Sequence, residues 1–350
     1  MEKPSRSNID RSAKARYVFL WGLAIASSLL VFAWKTVRDQ TAESESPNTK
    51  LRMLYHEYSY TQIHMAMPVR ITVYSTDESA AKTAVRAAFQ RVSELVNVFS
   101  DYEPNSEINR LLAANDLGDG TPQPVGNELL RVLIFAKELH TLSHGAFDPT
   151  ASPSIQLWRT ARKDGLLPND ESIASAQQLV GFDRVNVDAE HARITLPVNM
   201  SFDFGAIAKG HIADEAIRVI QAHGLNSACI EAGGDFVVSD RPPGQNGWEI
   251  DIPFQGPQSL SNCAVSVSGD TAQFVVLDGI RYSHVVDPRT GMALTNRQMS
   301  VIIASCGMHS DALATTGCIL DRSTFNELIE HFPGVKAWQY SVTAENGESL

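Results

Sequence analysis

Cysteine is scarce. Only Cys229, Cys263, Cys306 and Cys318 occur in 350 residues, widely spaced and without a Cys-x-x-Cys pair. That spacing suggests no zinc site, and the apolar or small neighbours favour buried free thiols, although an exported location would permit a bridge. Neither a G-x-x-x-x-G-K-[ST] loop nor a G-x-G-x-x-G fingerprint is present, so a P-loop triphosphatase and a Rossmann dinucleotide fold have no support. No internal repeat or low-complexity block appears, and no interdomain linker follows Lys50. Basic residues are also short, 29 against 40 acidic, for a net charge of -11. The deficit is uneven: the first forty residues carry +4 and the remainder -15. So acidic a body argues against nucleic acid as a partner.

One long uncharged run is present at residues 17–34, YVFLWGLAIASSLLVFAW. At ~1.5 Å per residue a helix there covers about 27 Å of a roughly 30 Å hydrocarbon core. Aromatic residues stand at both ends, and Arg11, Lys14 and Arg16 favour a cytoplasmic N-terminus. Ala24-Ile25-Ala26 resembles a cleavage site, but the apolar run continues past it, which favours an uncleaved anchor over a signal sequence. The expected organisation is therefore a basic cytoplasmic head at 1–16, a transmembrane anchor or signal sequence at 17–34, a polar tether at 35–50 and a catalytic body at 51–350, facing the periplasm or cell exterior. With 43% hydrophobic and 20% charged residues, the chain has ample material for a core.

Residues 69–75 alternate as a strand, and Asp77 can cap a helix through about Val98. The loop 99–106 holds Tyr102, either a surface aromatic or a ring free to stack on a flat ligand. Residues 127–143 predict a helix stopped by Gly145. Residues 146–154, AFDPTASPS, predict an ordered or functional loop, with a second helix between 170 and 180. A hairpin over 184–196 leads to the most informative stretch, 201–214, SFDFGAIAKGHIAD. There a strand end, a small-residue turn and a helix start give either a plain tight turn or a cradle for phosphate. Further strands are expected at 227–231, 248–252, 264–267, 274–277 and 299–305. The Ala232-Gly233-Gly234-Asp235 turn permits close approach of a strand or a ligand. His284 sits in an alternating stretch beside the turn Asp287-Pro288-Arg289-Thr290-Gly291, where it is either structural or projects into a site. A helix is expected to begin at Ser310-Asp311. Asp311 and Thr315, four apart, share one helical face and can offer two hard oxygens to one magnesium ion, or simply cap and satisfy their own helix. Short mixed strands and helices without regular βαβ alternation predict an α+β fold.

Taken together and in order, DFGAIAKG with Asp214, AGGD, SVSGD, HVVDPRTG and DALATT resemble the FAD:protein FMN transferases, also called the ApbE or thiamine-biosynthesis lipoprotein family, from about Met65 to about Leu320. The resemblance implies a single domain of mixed, largely antiparallel sheets with packed helices. It implies a Mg²⁺-dependent enzyme that splits FAD, attaches FMN by a phosphoester bond to a Thr or Ser of a target flavoprotein, plausibly a membrane respiratory subunit, and releases AMP. On the same pattern Met65, Tyr102, Ala146, Phe147, Asp148, Asp203, Lys209 and Val286 bind the cofactor. Ala206, Asp311 and Thr315 hold the metal, and His284, Asp311 and Lys209 are catalytic, with His284 the hypothesised base. The family's Met-Gly-Thr is Met65-Ala66-Met67 here, a departure that bears on local backbone geometry. The competing readings are an FAD pyrophosphatase yielding FMN and AMP, and a non-catalytic FAD carrier.

Overall fold

A computed structural model describes residues 54–116, 120–269 and 273–341. The expected anchor and tether lie outside the described residues. Among the described residues no helix is long and apolar enough to cross a membrane.

The centre is a seven-stranded sheet, β1 (His56–His64), β2 (Met67–Ser75), β3 (Ala228–Ala232), β4 (Asp235–Val238), β5 (Cys263–Ser268), β6 (Gln298–Ala304) and β7 (Lys336–Ser341). Spatial order follows chain order, and every neighbouring pair is antiparallel. The helices are α1 (Glu78–Phe99), α2 (Glu107–Asp116), α3 (Asn127–Leu142), α4 (Ser152–Asp164), α5 (Asp170–Gln177), α6 (Ala208–Ala222), α7 (Gly307–Ile319) and α8 (Arg322–Glu330).

Alternation along each strand sorts side chains between two cores. Val69, Ile71, Val73, Ala264, Ile302 and Ala304 pack with apolar residues of α1, α6 and α7. Their neighbours Val265, Met299, Val301 and Ile303 point to the opposite face, under the ribbon Trp248–Ile252 and Gly256–Leu260. A second ribbon pairs Phe274–Leu277 with Ile280–Ser283, and the hairpin expected over 184–196 is present as Asn186–Asp188 against Arg193–Thr195. The four cysteines are free, Cys318 buried and the other three half-buried.

Three elements depart from expectation. β1 is an edge strand whose inward Tyr58 and Tyr60 are only half-buried, so its polar sequence shows little apolar alternation. Residues 146–154 are not wholly loop. Asp148 Oδ1 accepts the Thr150 N–H at 2.7 Å to cap a short 3₁₀ turn, Pro149–Ala151, and α4 starts at Ser152 with a proline in its first turn. Both prolines sit where a helix tolerates a missing N–H, which makes them helix starters. α7 begins at Gly307, three residues before the expected start, so Asp311 lies inside the helix rather than at its cap.

The β1–β2 turn retains the geometry of the missing glycine. Met65 and Ala66 both have positive φ, 51° and 57°, as a two-residue hairpin of this twist requires. A left-handed L-residue costs ~1–2 kcal/mol, whereas glycine adopts that region freely. Ala66→Gly is therefore expected to stabilise the protein by up to about 1 kcal/mol, after the ~0.4–1 kcal/mol entropy loss from the freer unfolded chain is subtracted. A urea midpoint that rises at constant slope is the expected result. A fall means the turn does not hold Ala66 in this conformation.

Candidate active site

The site is built where α6 and α7 cross. Gly210 and Gly307 meet there, and a Cβ on either would run into backbone of the other helix. Neither helix supplies its own side-chain N-cap, since Ile207 and Cys306 hold those positions. Each is capped by the other. Asp214 of α6 accepts the Gly307 and Met308 N–H groups at 2.6 and 3.0 Å, and Asp311 Oδ2 of α7 accepts the Gly210 N–H at 3.1 Å. Unsatisfied N–H groups and aligned dipoles make both helix starts favourable for these carboxylates.

That exchange frees other oxygens. The Gly210 N–H, which would return to the Ala206 carbonyl in a regular ladder, donates to Asp311. Ala206 thus keeps its carbonyl outside the backbone bonds that start α6. One turn beyond Asp311, Thr316 returns its hydroxyl to Ala312 O at 2.7 Å, whereas Thr315 is half-buried and makes no hydroxyl hydrogen bond among the described residues. With the Asp311 carboxylate, which accepts the Gly210 N–H and faces Lys209, this carbonyl and hydroxyl are oxygen donors of the kind magnesium takes. The residues fit the ion.

Lys209 lies in the same corner. Its Nζ is 2.5 Å from Asp311 Oδ1, 3.5 Å from Asp235 Oδ2 and 3.1 Å from the Gly205 carbonyl, with the side chain 22% exposed. Burial alone would lower its pKa, but the Asp311 and Asp235 carboxylates outweigh that and hold the ammonium above its ordinary value. Burial likewise pushes Asp235 up to about 6, against the pull of Lys209. Asp235, at the end of the Ala232-Gly233-Gly234 turn, also accepts the Val267 N–H from β5 at 3.1 Å. The Met65 turn lies alongside, since a Cβ on Gly233 would meet Met67 Sδ at 2.8 Å.

A second arm reaches toward Tyr102. Asp203 Oδ1 accepts the Gly205 N–H at 2.8 Å, and its Oδ2 lies 2.7 Å from Arg159, which also contacts Asp101 at 2.8 Å. Burial raises the Asp203 pKa, and Arg159 opposes it. The Arg159 guanidinium stands 5.3 Å from the centre of the exposed Tyr102 ring. The Asp203 N–H binds the Pro149 carbonyl at 2.7 Å, which ties this arm to residues 146–148. There Ala146 and Phe147 are buried in the core, and Asp148 gives its oxygens to Thr150 and to the Phe182 N–H. Their contribution is to fix the loop. His284 follows the ribbon strand Ile280–Ser283, half-buried, with Nδ1 3.3 Å from the Gln273 carbonyl. Val286 is buried against Trp158 and Tyr282.

Lys209, Asp311, Ala206 and Asp203 are thus brought together, and Tyr102 joins them through Arg159. Sequence reasoning missed Arg159 because only the first residues of α4 were read, as part of the 146–154 loop, and the stretch that carries Arg159 was assigned no element. It also missed the charge role of Asp235, although the Gly-Gly-Asp turn was visible. One other cluster could hold a metal by composition, Glu128, His211 and Glu215. Arg91 contacts both glutamates, at 2.6 and 2.9 Å, and Arg131 and Arg218 contact Glu215. Guanidinium groups already neutralise it, so it is an ion-pair network joining α1, α3 and α6.

Comparison with known proteins gives the family. The ApbE family profile matches residues 65–338. The chain belongs to the ApbE family. Among its relatives, an FAD:protein FMN transferase of Treponema pallidum is 28% identical over 310 residues, covering 82% of this chain and 85% of the relative. The Vibrio cholerae protein of that name is 28% identical, covering 73% and 80%. The apo crystal structure of the Pseudomonas stutzeri flavinyl transferase ApbE superposes with a TM-score of 0.72 at 25% identity, over 83% of this chain and 93% of that one.

The reciprocal cap gives a pH signature. Burial raises Asp214 to about 6, outweighing its two N–H donors. Because that value exceeds the unfolded one of about 4, the folded state holds the proton more tightly. Its stabilising contribution is full below pH 4 and is lost as pH rises through 6. Asp214→Asn is expected to shrink the decline in unfolding free energy between pH 4 and 6, followed by urea unfolding at several pH values. An unchanged decline would show that Asp214 is not the titrating group.

Proposed function

We propose that this ApbE-family chain is an FAD:protein FMN transferase that uses Mg²⁺ to split FAD and attach FMN through a phosphoester to a Thr or Ser of a target flavoprotein, with release of AMP. The observation that carries the reading is the helix crossing itself. It sets the Asp311 carboxylate against the Gly210 N–H and the Lys209 ammonium. The reading takes the Ala206 carbonyl and the Thr315 hydroxyl as the further hard-oxygen donors, and two relatives are named FAD:protein FMN transferase.

When bound, magnesium would supply charge neutralisation for the phosphoryl oxygens. Lys209 adds a cation held in place by two carboxylates, so no reorganisation is needed as charge develops on the leaving phosphate. Asp203 and Arg159 fix the turn that carries Gly205 and Ala206. Tyr102 presents an open ring face for a flat part of the dinucleotide. His284 stands as the base for the acceptor hydroxyl, on a ribbon locked through the Trp158 and Tyr282 rings at 4.8 Å. The same reading takes residues 17–34 as an uncleaved anchor in a bacterial inner membrane, with the catalytic part outside the cytoplasm and within reach of membrane respiratory flavoproteins. Its support is the uncharged apolar run and the basic residues before it.

The test weighs a candidate Thr- or Ser-bearing acceptor by intact mass spectrometry after incubation with the protein, FAD and Mg²⁺. A gain matching FMN that vanishes with EDTA is expected. Asp311→Ala should cut the rate by on the order of 100-fold or more, as loss of charge stabilisation does elsewhere. Unmodified acceptor with FMN and AMP released would make the protein a pyrophosphatase. FAD left whole and bound would make it a carrier.

A further inference from the structure

Arg159 and Arg162 lie three apart on α4, neighbours on one face, yet their fates differ. Arg159 is held by two carboxylates. Arg162 makes no hydrogen bond or ion pair among the described residues, and its Nη1 is buried. A buried guanidinium N–H without an acceptor is costly, and a body this acidic had carboxylates to offer. Burial and the Arg159 charge both push the Arg162 pKa down, while Tyr102 opposes them. A cation kept beside another cation, unpaired, is explained when an acceptor arrives with a ligand.

The position says which part of the ligand. From Lys209 the links run through the Gly205 carbonyl at 3.1 Å, Asp203 at 2.8 Å from the Gly205 N–H, Arg159 at 2.7 Å, and then one further helical turn to Arg162. The pyrophosphate corner is already served by Lys209, so Arg162 stands toward a ring end of the dinucleotide. Tyr102, in its electrostatic reach, is 70% exposed and shows an open face. Four residues before Arg162, and so on the same face of α4, Trp158 packs against Tyr282 at 4.8 Å, two residues before His284.

Resting on the function proposed above, we propose that Arg162 is a specificity-determining residue that donates hydrogen bonds to the in-plane acceptor atoms of a flavin-dinucleotide ring laid against Tyr102. Two rings carry that chemistry, the carbonyl edge of isoalloxazine and the ring nitrogens of adenine. A planar fork of donors suits either edge, whereas a lysine ammonium does not.

The test measures binding of FAD, riboflavin and AMP to the detergent-solubilised full chain in EDTA, for the wild type, Arg162→Met and Arg162→Lys, along with the unfolding midpoint of each free protein. Both variants should weaken FAD by roughly 10- to 100-fold, the loss of a bond to a charged donor. The weakening should extend to riboflavin or to AMP but not to both, which identifies the ring. The midpoint of Arg162→Met should stay level or rise, because an unsatisfied buried group has been removed. Unchanged FAD affinity in the variants overturns the proposal. So does equal weakening of all three ligands with a lowered midpoint, which marks a structural role. A wild type that fails to bind FAD both in EDTA and with Mg²⁺ restored overturns the transferase reading itself.

Discussion

Everything chemical in this chain depends on two helices touching through glycine. Without a side chain at Gly210 or Gly307, α6 and α7 approach until each can place a carboxylate on the other's open N-terminus. Any side chain there would separate them and break both caps together, because Asp214 and Asp311 are short. The crossing is also what makes Asp311 a site residue. One of its oxygens is fixed by backbone and the other faces Lys209, so the carboxylate is oriented before any ligand arrives.

The sheet supplies the rigid base for that crossing. α7 lies on β5 and β6 through Ala264, Ile302 and Ala304, and Ser310 of α7 reaches Ser266 of β5 at 2.8 Å in the buried interior. Asp235 then links the end of β4 to β5 and to Lys209. Strand direction matters here. The β1–β2 and β3–β4 hairpins turn back at the same end of the sheet, which brings the Met65–Ala66 turn beside the Gly233–Gly234 turn and the carboxylate that follows it.

Much of this was legible in the sequence, for physical reasons. Small residues spaced along 205–210 announce close backbone approach, Asp311 and Thr315 at helical spacing announce a shared face, alternation along β2 reads as strand, and the apolar run of β6 reads as a core strand buried on both faces. What escaped reading was whatever depended on partners distant in the chain. Asp214 looked like one more residue of a helix, because its two donors lie more than ninety positions away. α4 hid behind two prolines that signal loop locally but here start a 3₁₀ turn capped by Asp148 and the helix that follows it. β1 hid because an edge strand with one half-covered face has no reason to alternate strongly.

Some of the costly local choices in this molecule bear on the site. Its cores are regular, with apolar faces sorted cleanly between the two sides of the sheet. Near the crossing stand a left-handed Ala66, carboxyls at Asp214 and Asp235 raised to about 6 by burial, and, farther along the Asp203–Arg159 arm, a guanidinium at Arg162 without an acceptor among the described residues. Each is a small destabilisation that the free protein would do better without. Arg162, beside the arm that carries Tyr102, is the unsatisfied group a ligand at this site would complete. The free energy missing from the empty site is then recovered as binding, so the local weakness of the fold and the specificity of the site have one physical origin.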